Sequence, residues 1–438
     1  MSSRLRTRIM LSAMMFFQYA VWGAWTPILG ATITGRMHAT GAEVGAVYGV
    51  LWLACIITPF IGGQIVDRLI PSQIYLGLAG VVCAVSAYMM STQQFIGGVF
   101  SGGLITWMWV WAIAFAPTIG IANSIAMYHL NREGTSSEIQ ERDFSFIRTA
   151  GTVGWIVASL VLTAYLYWEK HALKLTIQKG AWAPLEEMKV AAIFGVILTI
   201  VAFLLPNTPP SKEAKNPWAF TKAFSMFATV PGFLVFMVIS FLISTEFQFY
   251  YVWSGVFMED KHGLKIDHDL VSLYKSIAQY AEIICLGVFT PLSLKYLGMR
   301  KTLVIGALAW PLRYFIFVMY KVLPVPIVLA SMSFHGIGFA FVFVTSYIYI
   351  DRISPKDIRA SAQSLFTLVT LGVGNWLGTL FSGWLKDHYT NNVEVTNWQS
   401  FYMIPAILTT VCGLAYMVSF REPKAQKDVE ESPVPVNA

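Results

Sequence analysis

Charge is scarce in this chain of 438 residues. Only 12% of the residues are Asp, Glu, Lys or Arg, whereas soluble domains carry about 25%. Hydrophobic residues make up 56% of the sequence, and the mean hydropathy is +0.60. A soluble protein with this balance would expose large apolar patches and would aggregate. The scarcity of charge therefore excludes an ordinary soluble protein and indicates a chain that lies in a lipid bilayer.

Cysteine and catalytic motifs are scarce as well. The four cysteines all lie inside apolar runs, so we interpret them as small hydrophobic side chains rather than as disulfides or metal ligands. The sequence holds no HExxH motif, nucleophile elbow, CxxC pair or phosphate loop. We therefore predict that the chain is not an enzyme and uses no cofactor or metal. The loops are also too short to hold the soluble domain of a sensor or receptor.

Twelve apolar runs fill most of the chain. They are about 18 to 25 residues long, which suits a bilayer core of roughly 30 Å. The runs are continuous rather than alternating, which favours membrane helices over a β-barrel. The predicted helices span approximately residues 8–32, 42–66, 73–91, 96–129, 144–168, 187–206, 223–253, 268–293, 302–321, 325–350, 360–386 and 398–420.

A linker divides these helices into two groups of six. Residues 207–222 contain prolines and lysines and lack a long apolar run, so we predict a cytoplasmic linker there. The predicted halves are residues 1–206 and 223–420. The tail, residues 421–438, is polar and contains proline, which predicts disorder.

The distribution of positive charge predicts the orientation. With the N-terminus inside, eighteen lysines and arginines fall in inner segments and nine fall in outer loops. This bias predicts that both termini are cytoplasmic. The net charge of +6 therefore reflects membrane topology, and we predict no nucleic-acid partner. The absence of Asn-x-Ser/Thr acceptors favours a bacterial source, so we expect a bacterial inner-membrane protein.

Polar residues recur at helical spacing inside two of the apolar runs. Arg148 is followed by Thr152 and Trp155 at i+4 and i+7, and the run from residue 275 to residue 282 repeats this spacing. Such residues are costly in lipid, so they should face a protein interior or a water-filled cavity. Polar groups that converge near the midplane of a helical bundle are typical of a transporter.

A short loop resembles a motif of the major facilitator superfamily. The sequence GQIVDR at residues 63–68 follows the second predicted helix, and GMRK at residues 298–301 is a degenerate counterpart in the second half. Charges at such helix ends can pair across helices and favour one conformation. Asp67 and Arg68 are therefore candidate gating residues, and we expect the fold of this superfamily, in which one half rocks against the other.

Several longer segments resemble the nucleoside:proton symporter family of that superfamily. The resemblance runs from about residue 8 to residue 420 and implies uptake of nucleosides with protons through a central cavity. The chain is expected to act as a monomer. The matching segments are FQYAVWGAW at 17–25, PTIGIANSI at 117–125, RDFSFIRTAGTVGW at 142–155, QYAE at 279–282 and SPKDIRASAQ at 354–363.

The resemblance also implies a set of substrate-binding residues. The aromatic rings would stack on the base, and the polar side chains would hydrogen-bond the base edges and the ribose. The positions that match the family are Arg148, Thr152, Trp155, Gln248, Gln279, Glu282 and Phe339. Two further candidates depart from the residue types common in the family, namely Tyr251 and His335. A third departure is Ala340, which stands where an acidic residue is expected.

Some of these assignments leave alternatives open. Glu282 is the candidate proton-coupling residue, because burial disfavours its charged form, but a structural ion pair with Arg148 is the alternative. Glu246 points to a different helix face from Gln248, and Arg313 or Lys275 could pair with it.

Ala340 also keeps open a transporter of the same fold for another polar solute, such as a sugar. Because an acidic residue is missing at this position, a facilitator that is not coupled to protons is a further alternative.

Overall fold

The chain folds almost entirely into helices. The computed structural model describes residues 3–93, 102–132, 136–172, 185–210, 223–354, 358–391 and 394–420. Among these residues the only β pairing is an isolated bridge between Thr390 and Thr396. Most of the predicted linker and the whole predicted tail lie outside the described residues, as does part of the segment SPKDIRASAQ.

Six helices make up the N-terminal half. Helix α1 is interrupted at residues 24–28, where Pro27 lacks a backbone donor, and it therefore has two segments. The bounds are Ser3–Gly23 and Leu29–Met37 for α1, Gly41–Arg68 for α2, Ser72–Ser91 for α3, Gly102–Asn131 for α4, Ser137–Ala172 for α5 and Glu186–Leu204 for α6.

Four helices of the C-terminal half are interrupted or contain π-helical turns. Helix α7 comprises Phe233–Tyr251 and Trp253–Glu259. Helix α8 comprises His268–Lys275, Ile277–Ile284 and the π-helical Cys285–Phe289, and it continues to Gly298. Helix α9 is the remainder of Thr290–Val318. The other bounds are Val325–Ala330, Ser333–Phe339, Ala340–Val344 and Thr345–Ile353 for α10, Arg359–Thr367, Leu368–Gly374 and Asn375–His388 for α11, and Trp398–Ser419 for α12.

The chain reverses direction at Gly298, between α8 and α9. Gly298 has φ 78° and ψ 171°, values that favour glycine. The hydroxyl oxygens of Ser293 and Thr302 lie 2.7 Å apart, although nine residues of straight helix would separate them by roughly 13 Å.

This reversal reconciles the helix count with the predicted twelve. Ten helices among the described residues are long and apolar enough to cross a membrane. One of these, His268–Val318, contains two crossings, and α1 adds the twelfth.

Glycines allow the helices of the N-terminal half to approach closely. A methyl group on Gly154 of α5 would collide with the backbone of Phe16 in α1, and one on Gly23 would lie 2.8 Å from the Cα of Trp155. These contacts hold α5 against α1 and fix the direction in which Trp155 points. Small residues at such crossings are typical of packed membrane helices.

Polar contacts join the two halves at one end of the bundle, which we call the closed end. Asp387 of α11 accepts hydrogen bonds from the amides of Gly41 and Ala42 at the start of α2, at 2.5 and 2.8 Å. Lys170 of α5 pairs with two aspartates near the start of α8, at 3.0 and 3.2 Å. The second segments of α1 and α7 also meet there, because a methyl group on Gly35 would lie 3.6 Å from a carboxylate oxygen of Glu259.

The opposite end has ion pairs within each half. Arg8 of α1 pairs with Asp143 of α5 at 2.7 Å, and Arg359 of α11 pairs with Asp351 of α10 at 3.3 Å. Asp67 is partly exposed and Arg68 is exposed, and neither forms an ion pair with a described residue. Their gating role stays a prediction.

Candidate functional site

Arg148, Thr152 and Trp155 lie along one face of α5. Thr152 and Trp155 are each 8% exposed, and Arg148 is partly exposed. The guanidinium carbon of Arg148 lies 4.2 Å from the centre of the Tyr19 ring in α1, a cation–π distance. The predicted polar face of α5 therefore points toward neighbouring helices, and Tyr19 holds the arginine there.

Two aromatic side chains meet across the halves. The ring centres of Trp155 in α5 and Tyr251 in α7 are 6.4 Å apart, with the rings inclined at 62°. Trp22 of α1 packs edge-on against Trp155 at 5.3 Å. The fifth helix therefore meets the seventh through an edge-on aromatic contact, which Trp22 of the first helix supports. Aromatic rings are the surfaces on which a planar base stacks.

Tyr251 and His335, the two candidates that depart from the family, bond to each other. The Tyr251 hydroxyl and Nε2 of His335 are 3.1 Å apart. The His335 ring stacks on Tyr250 at 4.3 Å, and its Nδ1 atom is buried without a partner. His335 is fully buried, so its visible role is to orient Tyr251 rather than to line an open space.

Gln279 and Glu282 lie on α8. Gln279 is 6% exposed, and its side chain makes no hydrogen bond with a described residue. Glu282 is partly exposed, has no ion pair within 4 Å among the described residues, and interacts electrostatically with Arg148 of the other half. A methyl group on Gly336 of α10 would collide with the Glu282 backbone, so α10 packs directly behind this carboxylate.

Gln248 has an internal partner that the sequence did not reveal. Its side-chain nitrogen donates to the oxygen of Asn375 in α11 at 3.0 Å, and its own oxygen is buried without a partner. The residue is fully buried. Asn375 therefore orients Gln248, and a ligand could reach its unpaired oxygen only after the surrounding helices move.

Phe339 and Ala340 face different surroundings, although they are neighbours on α10. Phe339 is partly exposed and lies 6.2 Å from the His335 ring. Ala340 is fully buried and packs with Cys285 and Phe341 in a small apolar cluster. No carboxylate occupies the place where the family resemblance implied one.

Glu246 and Arg313 form the buried ion pair that was one of two predicted alternatives. The closest atoms are 3.5 Å apart, and both side chains are fully buried. The hydroxyl of Tyr314 also donates to the Glu246 carboxylate. The guanidinium lies between the rings of Tyr250 and Tyr314, at 4.5 and 4.4 Å from their centres. Lys275 does not pair with Glu246.

Sequence reasoning missed the partners that orient the site. Tyr19 lies inside the matching segment at 17–25. Asn375 is a polar residue within an apolar run, so a search for polar residues in every helix would have found it. Asp387 gave no such signal, because it lies at a helix end where charges are common.

Comparisons with known proteins decide the family. The sequence profile described as nucleoside H+ symporter matches residues 5–425. The chain belongs to the nucleoside H+ symporter family. This symporter family member is therefore a membrane transporter and not an enzyme, as its sequence predicted.

Relatives of this symporter family member match along nearly their whole length. Nucleoside permease NupG of Escherichia coli is 26% identical over 427 residues, which cover 95% of this chain and 96% of that protein. Xanthosine permease of Escherichia coli is 28% identical over 423 residues, which cover 94% and 95%. The crystal structure of a single-residue variant of nucleoside transporter NupG has a TM-score of 0.81 at 26% identity and covers 95% of this chain and 100% of that chain.

Transporters outside this family share the fold. A D-xylose–proton symporter structure has a TM-score of 0.69 at 16% identity and covers 96% of this chain and 99% of that chain. These matches confirm the predicted major facilitator fold of twelve helices in two halves.

Proposed function

We propose that this symporter imports nucleosides together with protons by alternating access, and that the site lies between α5, α7, α8 and α10. The observation that carries the proposal is the aromatic contact between the halves, where the ring centres of Trp155 and Tyr251 are 6.4 Å apart. A ligand at this place would touch both halves, so its binding would act on the equilibrium between their arrangements.

The side chains divide between the base and the sugar of a nucleoside. Trp155, Tyr251 and Phe339 offer ring faces for the base, where stacking contributes about 1–3 kcal/mol. The polar side chains that would bond the base edges and the ribose are Arg148, Thr152, Gln248, Gln279 and Glu282. His335 would act by holding the Tyr251 hydroxyl.

Glu282 is the proposed proton-coupling residue. Its carboxylate is partly exposed and has no direct counter-ion, so a proton can reach it and neutralise it. Neutralisation would weaken its interaction with Arg148 and so alter the attraction between the two halves. By linkage, if protonation favours nucleoside binding, nucleoside must equally favour protonation.

The proposed orientation places both termini in the cytoplasm of a bacterial cell and the closed end at the outside. The structure would then have its outer end closed, with Asp67 and Arg68 at the inner end, where they could pair in the opposite arrangement. The proposed halves of the chain are residues 1–206 and 223–420, joined by a cytoplasmic linker at 207–222 and followed by a tail at 421–438. A monomer in the bilayer is the proposed working form.

The first experiment measures uptake of radiolabelled uridine and adenosine by proteoliposomes, with and without an inward proton gradient. The wild type should accumulate at least one nucleoside when the gradient is present. Glu282→Gln is permanently neutral, so it should exchange nucleoside across the membrane but neither accumulate it nor respond to pH. Wild-type uptake should fall as the outer pH rises, because the carboxylate loses its proton.

The matched control for this experiment is Glu394→Gln. This glutamate is 75% exposed and lies 3.5 Å from the exposed His38, a pair that solvent screens, so the variant should behave like the wild type. Unchanged pH dependence in Glu282→Gln would disprove the coupling role. Equilibration without accumulation in the wild type would instead support an uncoupled facilitator, the alternative that Ala340 favours.

A further inference from the structure

Lys275 is a buried cation whose partners are two backbone carbonyl groups and the ring of Tyr250, whose centre lies 5.4 Å from Nζ. It is 3% exposed, and no carboxylate among the described residues pairs with it. Its Nζ atom lies 2.7 Å from the carbonyl oxygen of Tyr251 and 3.4 Å from that of Tyr250. Burying a charge is unfavourable unless the surroundings compensate it, so this placement calls for a physical explanation.

The two carbonyl groups belong to the last residues of the first segment of α7. That segment ends at Tyr251, Val252 follows, and the second segment begins at Trp253. Carbonyl groups at the end of a helical segment carry partial negative charge, and a lysine can compensate it. The Tyr250 hydroxyl in turn donates to the carbonyl of Lys275 at 3.2 Å, so α7 and α8 are bonded in both directions.

The break in α7 lies between the proposed site and the closed end. On one side, the Tyr251 ring contacts Trp155 of the other half. On the other side, the second segment of α7 packs on α1, where a methyl group on Gly255 would lie 2.8 Å from the carbonyl oxygen of Pro27. The position of one backbone turn therefore sets both the ring that meets substrate and the segment that closes the outer end.

We propose that Lys275 is a positioning residue for transport. Its ammonium group holds the α7 break, places the Tyr251 ring against the site and keeps the outer segment packed on α1. His335 fixes the hydroxyl of Tyr251, and Lys275 fixes its backbone. The consequence for transport rests on the proposed function, whereas the effect on the break does not.

The test compares Lys275→Met, which removes the charge, with Lys275→Arg, which keeps a charged donor. Lys265→Met, at an exposed lysine of the neighbouring loop, is the matched control. Hydrogen–deuterium exchange of residues 251–256 reports the break directly. Lys275→Met should raise exchange there by roughly tenfold or more, because a hydrogen bond from a charged donor is lost. Lys275→Arg should restore most of the protection.

Transport kinetics supply the second measurement. Lys275→Met should raise the KM for uridine with a smaller change in maximal rate, because Tyr251 is displaced. In a Tyr251→Ala background the same substitution should add little to KM, since its effect acts through Tyr251.

Two results would overturn the proposal: unchanged exchange at residues 251–256, or KM increases that multiply in the double variant. If the wild type takes up neither uridine nor adenosine, the proposed substrate is wrong. The exchange measurement then still decides the role of Lys275.

Discussion

Single buried charges in the C-terminal half are stabilised in different ways. Arg313 has a carboxylate partner and two aromatic rings. Lys275 has carbonyl oxygens and one aromatic ring but no carboxylate among the described residues, and Glu282 is partly exposed. A buried charge with a counter-ion keeps its charge and can stabilise the packing of helices. An accessible carboxylate without a counter-ion can gain and lose a proton. We therefore assign a structural role to Glu246 and propose the coupling role for Glu282.

The Glu246–Arg313 pair yields a stability prediction. Glu246→Gln leaves the arginine buried without a counter-ion, so unfolding should become easier by about 3–5 kcal/mol, visible as a lower melting temperature in detergent. Arg313→Met in the same chain should recover part of the loss, because a neutral packed pair avoids the uncompensated charge. Glu394→Gln serves as the exposed control. Equal melting temperatures for Glu246→Gln and the wild type would contradict the structural role.

At the scale of elements, glycines determine how closely two helices approach, and this distance sets the position of the neighbouring side chains. Gly154 lets α5 lie against Phe16 of α1, one residue before Trp155 in the sequence. Gly120 in α4 has open space around it instead. The same residue type therefore has a packing role at one position and none at the other.

Gly154→Ala should destabilise the N-terminal half by about 1–3 kcal/mol, because the added methyl group overpacks the α1–α5 contact. It should also weaken nucleoside binding, because Trp155 shifts with the helix. Gly120→Ala is the control and should leave stability equal or slightly higher, since alanine favours a helix more than glycine. Melting temperature and uridine KM measure both effects. A loss in Gly120→Ala as large as that in Gly154→Ala would refute the close-approach explanation.

At the scale of the whole molecule, the closed end combines polar contacts between the halves with close packing of α2 on α11, where a methyl group on Gly45 would lie 2.6 Å from the carbonyl oxygen of Thr379. Asp387 places its carboxylate on two amides at the N-terminus of α2, where the helix dipole favours negative charge. Lys170 adds an ion pair with the exposed Asp267 and one with Asp269, whose side chain is 7% exposed. We therefore predict that Asp387 contributes to keeping this end closed.

Asp387→Asn should shift the equilibrium toward an open outer end by roughly fivefold, since charge at a helix N-terminus contributes about 1 kcal/mol. A second substitution, Gln279→Cys, places a thiol at the proposed site. An impermeant maleimide applied to intact cells should label this thiol faster when Asp387→Asn is also present. Lys261→Cys, on an exposed loop at the closed end, should be labelled in either background if that end is outside. If Lys261→Cys is not labelled, the proposed orientation is wrong. If the labelling rate of Gln279→Cys does not change, Asp387 does not keep the outer end closed.

The sequence by itself determined the membrane spans, the polar face of α5 and the candidate carboxylate Glu282. Each lipid-facing position favours an apolar residue independently of the others, and the spacing of residues on a helix face is local. Both patterns can therefore be recognised in the sequence alone.

Only the tertiary structure decided which alternative partner Glu246 takes, that Gln248 bonds Asn375, and that Asp387 closes one end on α2. These contacts join residues far apart in the chain. Their existence depends on how the helices cross, which no local pattern encodes.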